Sequence, residues 1–501
     1  MPTEPDVDGS APRQLKSWYS REVMLAAIGA IAFACLLGFP LIVHFHKIGV
    51  VWDWDAFLER DWVPAYTLRH FHQLPLWNPY TCGGMPMWAN PEARIATPLF
   101  LFHLLFGPVA GLHLEILADL AIAWAGGYCL GRWLGLTPIG AVACACVFPA
   151  SSWFSLHLAV GHLSFLTSLF LPWILALTWH SVTRDSPISA ALAGLAMAFT
   201  LGGGGVYQVV QAAFLVTLIG GCVAIQRRSV MPFVMLSIFG CFGVGFSAVK
   251  LIPGYVLMHQ HPREVYSADY SPMSLLLDAL LSRDQTMAKA SAPWGYWDVG
   301  AYVGPIAATM SIVGVAASFR KALPWLFAAI VCFLLAMGEI LPHYSPWQLI
   351  HALPILDSTR VAPRFLIPFT MMISVLAALG IDFLTQHQNL AGKVTALALI
   401  GVSLLDLWNV SFVNTDYFVQ GDPPSRSESA LFHQFYDHSR RTWPGATAST
   451  TTEMNALAHA NTGVINCYEY TTLPTSVTGN NQPGYRGEQY FTTQGELTLN
   501  Q

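Results

Sequence analysis

The chain has 501 residues, of which 54% are hydrophobic and only 11% are Asp, Glu, Lys or Arg. Soluble domains carry about 25% charged residues, so this composition excludes a soluble globular protein and indicates an integral membrane protein. The formal net charge of −5 is small and gives no reason to expect a nucleic-acid partner.

The N-terminal segment is polar, and the apolar run that follows it is long. Residues 1–22 include acids, and the run 23–45 exceeds the apolar region of a signal peptide and matches a spanning helix. We therefore expect residues 1–22 to form a cytoplasmic tail rather than a cleaved signal.

Further apolar runs are long enough, or nearly so, to cross a bilayer. With the first run they predict an all-α polytopic membrane protein with about eleven transmembrane helices, in which residues 23–411 form the membrane domain. The division between 188–203 and 206–225 is open because four glycines lie between them. The runs are 23–45, 109–131, 138–157, 163–181, 188–203, 206–225, 231–253, 298–317, 323–341, 363–385 and 394–411.

The positions of the basic residues predict the orientation. If the N-terminus lies in the cytosol, every second connection is short and carries Lys or Arg, as the positive-inside rule requires. The odd number of helices then places the C-terminus outside. The basic residues concerned are Arg13, Lys16, Arg21, Arg132, Arg184, Arg227, Arg228, Arg320, Lys321 and Lys393.

The outer connections are long and chemically varied, so function is expected on that face. They comprise 46–108, the turn 159–162, the glycine run 202–205, 254–297, 342–362 and everything from 412 onward. Residues 412–501 are richer in Thr, Ser, Asn and Gly and predict a small outer domain containing β-strands, such as GVINCYEYTT and EQYFTT, and one short helix in ALFHQFYDHSRR.

The first outer loop combines acids with aromatic residues. Asp53, Asp55, Glu59 and Asp61 follow the first span among several Trp. The stretch 55–72 predicts an amphipathic helix at the membrane interface, and the segment 75–94 a Gly- and Pro-rich loop folded over a cavity at the bilayer surface. Run 97–106 is too short to cross and predicts a re-entrant or interfacial segment.

Several motifs resemble a known family. WDWDAF, PLWNPYTCGGMPMWANPEAR, GLHLEI, SSWFSLHLAVGHLSFL, LPW and STRVAPRFLIP resemble YfhO-type bacterial membrane proteins, which are similar to GT-C glycosyltransferases. The resemblance runs from about Trp52 to the C-terminus, where ANTGVINCYE and YRGE resemble the outer domain of the family. That domain usually extends further than Gln501, so residues 412–501 are expected to be an incomplete copy.

The resemblance implies an inverting glycosyltransferase of the bacterial cytoplasmic membrane. Its partners would be a polyprenyl-phosphate-linked sugar donor, an envelope glycan or lipid acceptor, and the bilayer. GT-C enzymes carry a catalytic carboxylate in the first outer loop, and the matching residues here are Asp53 and Asp55, between which the sequence does not decide. Trp77, Asn78 and Asn90 lie in the PLWNP and ANP motifs and are expected to bind substrate.

Sugar transfer needs an acceptor for the hydroxyl proton and cations for the departing phosphate. Asp53 or Asp55 suits the first role. For the second, Lys250 lies in the last turn of an apolar span, where a cation is either functional or snorkelling to the interface. Arg263, Arg360 and Arg364 are further phosphate candidates, with an interfacial anchor as the alternative for the last two.

Other polar residues have two interpretations each. Glu115 and Asp119 lie inside a span, where Glu115 either contributes to the substrate site or forms a structural ion pair, with Lys250 as its candidate partner. His162 in the second outer turn is either structural or part of the site. The glycines 202–205 either admit a lipid phosphate to the backbone or only break a helix.

No cofactor is required by the sequence, and no metal site is assigned. The chain has no CxxC motif, and the two HFH segments do not suit two ligands on one helical face. A divalent cation at Asp53 or Asp55 stays open. A disulfide between Cys82 and Cys467 is conceivable, because both are expected outside.

Two other functions stay open besides the enzyme. A transporter or flippase of lipid-linked glycans should show matched broken helices in two halves, whereas here the unusual sequence concentrates on one face. A non-catalytic envelope scaffold would leave the acids and cations at the membrane surface without a task.

Overall fold

The structure is a computed structural model. It describes residues 11–49, 53–81, 84–260, 270–286, 289, 295–340, 345–352, 359–386, 389–417, 421–423, 433–435, 456, 458–464 and 496–498.

Helices make up most of the described chain. They are α1 (Ala11–Leu37), α2 (Phe39–Val43), α3 (Trp54–Tyr66), α4 (Phe100–Phe106), α5 (Pro108–Trp133), α6 (Pro138–Ala150), α7 (Ser152–Ala159), α8 (Leu171–Arg184), α9 (Pro187–Gly202), α10 (Val206–Arg227), α11 (Met231–Gln260), α12 (Met273–Leu281), α13 (Gly304–Ala317), α14 (Phe319–Ala336), α15 (Pro346–His351), α16 (Leu366–Thr385) and α17 (Leu390–Tyr417). Short 3-10 segments cover Leu163–Phe170, Tyr296–Asp298 and Ala362–Phe365, and a π-helical turn covers Thr67–Phe71.

The helices confirm a polytopic membrane protein. Among the described residues, 8 helices are long and apolar enough to cross a bilayer. Two of the other expected spans are the shorter apolar helices α9 and α13, and α1 covers the first. The expected span 138–157 corresponds to the candidate span Pro138–Ala159, within which the extended backbone of Ser151 (φ −61°, ψ 147°) separates α6 from α7.

Contacts at the helix ends divide the connections into two rims. These are the two groups that the basic residues predict, while the assignment of one rim to the cytosol stays a prediction. One rim carries the contacts Arg132–Glu22 (2.6 Å), Thr137–Asp382 (2.7 Å) and Gln226–Arg320 (3.2 Å). The other carries Asp53–Val160 (3.0 Å), Ala96–Gly202 (3.1 Å) and a paired backbone bridge between Ile48 and Gly421 (2.9 Å each way).

The first and last long helices are neighbours. The indole of Trp408 in α17 donates to the carbonyl of Leu36 at the end of α1 (3.1 Å). At the rim above them, Lys47 pairs with Asp422 (2.7 Å) beside the Ile48–Gly421 bridge. The chain therefore leaves the bundle next to the point where it enters the first loop.

A helix forms within the predicted range 55–72, but its predicted position at the membrane interface is wrong. Helix α3 forms, but residues 54–65 are buried on all sides, including Asp55, Glu59 and Asp61. The acids tolerate burial because the rest of the loop supplies their partners. Asn78 and Thr81, for example, each donate to Glu59 at 2.8 Å.

Helix α4 agrees with an interfacial segment. Leu101, Leu105 and Phe106 are exposed, while Phe100 and His103 are buried against the protein. One face of this short helix therefore presents apolar side chains outward.

Three short strands follow the helical region. With the hairpin strands β1 (Trp77–Asn78) and β2 (Met85–Pro86) counted first, they are β3 (His433–Phe435), β4 (Thr462–Val464) and β5 (Glu496–Thr498). β3 pairs with β4 in parallel and with β5 in antiparallel. The helix predicted in ALFHQFYDHSRR is wrong at β3, because pairing on both edges outweighs local preference. EQYFTT, Cys82 and Cys467 lie outside the described residues, and the boundaries at 22 and 412 stay predictions.

Candidate active site

The N-terminus of α3 is fixed against the turn between α7 and the segment Leu163–Phe170. The backbone N–H of Asp53 donates to Val160 (3.0 Å), and the Trp54 indole donates to Leu158 (2.9 Å). Gly161 adopts φ +82°, and a Cβ placed there would lie 2.2 Å from the backbone nitrogen of Trp54. Only glycine therefore permits this close approach.

This approach brings the Asp53 carboxylate to His162. Asp53 Oδ2 lies 3.1 Å from His162 Nε2, and the Asp53 side chain is 29% exposed, against 12% for His162. The carboxylate is thus oriented by an imidazole and is still partly exposed, which suits a proton acceptor. Asp55, by contrast, is buried within α3.

A second imidazole continues the chain of hydrogen bonds. His157 Nδ1 lies 2.9 Å from His162 Nδ1. If His162 donates through Nε2 to Asp53, its Nδ1 must accept, so His157 donates through Nδ1 and its Nε2 keeps a lone pair. The ring of His157 stacks on Phe165 with centroids 4.1 Å apart, which fixes its plane.

An acid from a distant segment completes the cluster. Ligand atoms of His157, His162 and Asp298 all lie within 4.8 Å of one another, the one such group found among the described residues. Asp298 ends the short 3-10 turn Tyr296–Asp298 and is buried. Two imidazoles and a carboxylate form a donor set that suits a divalent transition-metal ion.

Arg364 adds a firmly held guanidinium group to this cluster. Its Nε donates to Asp298 Oδ1 (2.8 Å), and its guanidinium carbon lies 4.8 Å from the ring centres of both Phe165 and Tyr207. Within the described part of the chain, its two terminal nitrogens have no hydrogen-bond partner. The guanidinium is therefore held by two neighbouring aromatic rings and, along one edge, by Asp298, while the remaining edge offers donors that suit a phosphate.

Lys250 does not pair with Glu115, so that predicted partnership is wrong. Its ammonium donates to the carbonyls of Trp88 (3.0 Å) and Asn90 (2.5 Å). Lys250 is buried and ties helix α11 to the first loop. Carbonyls of a folded loop replace the acid as its partners.

Glu115 instead forms a buried ion pair with Arg94, and it also contacts His103 Nε2 at 2.8 Å. Arg94 lies 3.4 Å from Asp61 and donates to the carbonyl of Leu163 (2.9 Å). One guanidinium thus joins α3, α5 and the residue next to His162. Burial raises the pKa of Asp61, with Arg94 acting in the opposite direction.

The motif residues of the first loop shape the loop itself. Asn78 is buried and also accepts from the backbone N–H of Tyr80 (2.9 Å), while the Asn90 side chain accepts from the N–H of Glu92 (2.9 Å). Trp77 is about half exposed on the hairpin. Their predicted role in substrate binding stays a prediction.

Two of the glycines 202–205 lie against the backbone of the first loop. A Cβ at Gly202 would lie 2.0 Å from the Ala96 carbonyl oxygen, and one at Gly204, where φ is +85°, would lie 2.6 Å from that of Glu92. The first loop therefore occupies the space next to Gly202 and Gly204 that the first of the two interpretations leaves for a lipid phosphate.

For the last two predicted cations, the phosphate-binding role stays a prediction. Arg263 lies outside the described residues. Arg360 is partly buried just before Val361, which adopts φ 64°.

Sequence reasoning missed three members of the arrangement: His157, Asp298 and Arg94. His157 precedes His162 by five positions in SLHLAVGHL, a spacing that no single helix brings together, and the turn between them does so. Asp298 in GYWDVGAY was read as the start of an apolar span. An acid at the start of an apolar span is the signal that could have identified Asp298 as a site residue.

Comparisons with protein-family models and with curated proteins give no match. Among solved structures, the cryo-EM structure of the arabinofuranosyltransferase AftD from Mycobacteria matches with a TM-score of 0.51 at 14% identity, over 89% of this chain and 31% of AftD. The chain has a GT-C-like fold. It spans only about a third of the length of AftD, and its predicted membership of the YfhO-type family stays a prediction.

Two archaeal structures match less closely. The oligosaccharyltransferase AglB from Archaeoglobus fulgidus, in complex with an inhibitory peptide and a dolichol-phosphate, has a TM-score of 0.41 at 12% identity, over 80% of this chain and 56% of AglB. The apo form of an oligosaccharyltransferase from the same organism has a TM-score of 0.40 at 11% identity, over 78% and 56% of the two chains.

Proposed function

We propose that this protein is an inverting membrane glycosyltransferase. It takes a sugar from a polyprenyl-phosphate carrier and transfers it to an envelope glycan or lipid on the outer face of a bacterial cytoplasmic membrane. The GT-C-like fold supports the class of enzyme. The observation that carries the proposal is the contact of Asp53 with His162 beside Asp298 and Arg364, on one rim of the bundle.

Asp53 is the proposed proton acceptor. As the acceptor hydroxyl oxygen bonds to the anomeric carbon, its proton passes to the partly exposed carboxylate of Asp53, which His162 Nε2 orients through Oδ2. Asp55 is buried in α3 and is less suited to meet an incoming hydroxyl. This favours the first of the two carboxylates that the WDWD motif offers.

Arg364 is the proposed partner of the departing phosphate. The bond between the anomeric carbon and the phosphate oxygen breaks, and negative charge remains on the carrier phosphate. The terminal nitrogens of Arg364 can stabilise this charge through paired hydrogen bonds. Because Phe165, Tyr207 and Asp298 already hold the side chain, little entropy is lost when phosphate binds.

The cluster can also hold a divalent cation, with His157, His162 and Asp298 as ligands and Asp53 beside them. The ion would replace the hydrogen bond between the two imidazoles, so that the Nδ1 lone pair of His162 becomes available. The short mutual distances and the free lone pair expected on His157 fit such an ion. A bound cation would supply charge stabilisation for a phosphate oxygen.

The test is a transfer assay on purified protein in nanodiscs, with a panel of radiolabelled polyprenyl-phosphate sugars and release of polyprenyl phosphate as the readout. We expect Asp53→Asn to lose at least about 100-fold in rate, the usual scale for general base catalysis. Asp55→Asn, with the same change of charge two positions away, is the matched control and should retain transfer if it folds.

The same variants separate the enzyme from a flippase. A flippase has no need of a proton acceptor, so Asp53→Asn would leave movement of lipid-linked glycan across vesicles unchanged. Transfer that survives Asp53→Asn at the wild-type rate would overturn the proposed base.

A further inference from the structure

The side chain of Gln285 is a buried junction between four segments. Its Oε1 accepts from Ser152 Oγ (2.8 Å), and its Nε2 lies within reach of the Tyr296 hydroxyl (3.0 Å). The same nitrogen donates to the carbonyls of Ala279 (3.1 Å) and Ser282 (2.8 Å). Both functional groups of the amide are therefore in use.

Two of these partners lie next to the cation ligands. Ser152 opens helix α7, which carries His157. Tyr296 begins the 3-10 turn that ends at Asp298. Ser152 Oγ also accepts the backbone N–H of Tyr302 (2.7 Å), so a second bond joins α7 to the chain just beyond Asp298.

Close packing and a further bond hold the junction in place. A Cβ at Gly300 would lie 2.8 Å from Gln285 Oε1 and 2.3 Å from the Leu156 side chain. Asn414 in α17 donates to the backbone carbonyl of Gln285 (2.6 Å). Gln285 is 2% exposed, so water cannot replace the bonds of the amide.

We propose that Gln285, acting through Ser152 and Tyr296, is a positioning residue that sets the separation between His157 and Asp298. This inference rests on the cation-binding part of the proposed function. Gln285 contacts none of the three proposed ligands in the described contacts, and its effect passes through the two elements that carry them. Groups that orient metal ligands typically change metal affinity by about 10- to 100-fold.

The experiment is a titration of the purified full chain with Co²⁺, read from the visible absorption bands of the bound ion. Gln285→Met keeps the volume of the side chain but removes its donor and acceptor. Ser152→Ala removes the bonds of Ser152 Oγ to Gln285 Oε1 and to the Tyr302 N–H, with little change in volume. We expect each variant to bind Co²⁺ about 10-fold or more weakly and to shift the absorption bands. The matched control is Gln226→Met, because Gln226 contacts Arg320 on the opposite rim, and it should bind Co²⁺ as the wild type does.

The outcomes separate the positioning role of Gln285 from the proposed cation site on which it rests. If the double variant His157→Ala/His162→Ala loses Co²⁺ binding while Gln285→Met and Ser152→Ala keep the wild-type affinity and spectrum, the positioning role is overturned and the cation site stands. If the double variant binds Co²⁺ as well as the wild type, the cation site is overturned, and the positioning role with it. Thermal unfolding of each variant tests folding, and Ser152→Ala alone decides the question if Gln285→Met does not fold.

Discussion

Gly161 packs so closely against the backbone nitrogen of Trp54 that a methyl group added to the glycine would lie 2.2 Å from that nitrogen. The contact brings Asp53 and His162 within hydrogen-bonding distance, although they belong to separate loops. Any change that widens it should therefore separate the proposed proton acceptor from its imidazole.

Gly161→Ala is expected to lower both stability and transfer activity. The substitution adds a steric clash to the cost of φ +82°, which alone is about 1–2 kcal/mol for a residue with a Cβ. The control is Gly135→Ala, because Gly135 adopts φ +79° with nothing within 4 Å of the added Cβ. Unfolding in detergent and transfer rates should show a larger loss for Gly161→Ala, and equal losses in both variants would contradict the role of the contact.

Arg94→Met is expected to destabilise the protein by about 3–5 kcal/mol, because it leaves Asp61 and Glu115 buried without their shared cation. The comparison is Arg227→Met, which breaks a pair with Asp185 that is about one-third exposed. Exposed pairs contribute little. Denaturant unfolding of the two variants should therefore differ clearly in midpoint, and similar midpoints would contradict a buried network.

The raised pKa of Asp61 predicts a pH dependence of stability. Because burial raises this pKa above 3.8, the folded state holds the proton more tightly than the unfolded chain does. The stabilisation is present in full below the unfolded pKa and is lost as the pH rises through the folded pKa. The side chain in the Asp61→Asn variant cannot ionise. The unfolding temperature of this variant should therefore rise relative to that of the wild type as the pH rises from about 4 to about 8.

The control for this prediction is Asp185, whose pKa is shifted in the opposite direction. The hydrogen bond from Arg227 lowers the pKa of Asp185, so its contribution is present above the unfolded pKa and is lost as the pH falls. Asp185→Asn should therefore differ most from the wild type at neutral pH and converge with it in acid. Parallel pH curves for Asp61→Asn and the wild type would refute the assignment to Asp61.

Arg364→Lys is expected to weaken donor use while preserving the charge. A lysine cannot bind Asp298 along one edge and a phosphate along the other, and it lacks the planar group that packs against Phe165 and Tyr207. Steady-state kinetics should show a loss of about 10- to 100-fold in kcat/KM for the lipid-linked donor, in line with about 1.5–3 kcal/mol for hydrogen bonds to a charged group. Wild-type kinetics in Arg364→Lys would mean that Arg364 is a structural anchor.

The membrane architecture was predictable because bilayer thickness and the placement of basic residues act along the sequence. Run lengths predict the helices, and alternation of Lys and Arg predicts which connections share a rim. Breaks within helices were less visible: α6 and α7 read as one run because the bend at Ser151 depends on backbone conformation.

The partners of charged residues were not predictable, because they depend on which loops meet. Lys250 and Glu115 are both buried charges in spans, and pairing them was the simplest expectation. The first loop instead supplies carbonyls to Lys250 and Arg94 to Glu115. In the same way Asp53 could be proposed from WDWD, whereas His157 and Asp298 join the cluster only because their separate segments meet in the fold.

The backbone bridge between Ile48 and Gly421, together with the bond from Trp408 to Leu36, has a consequence for biosynthesis. The ribosome makes α1 long before α17, so α1 waits for this neighbour until most of the helices between them have emerged. The backbone around Ile48 is therefore expected to gain its final protease resistance only after residue 421 has been translated.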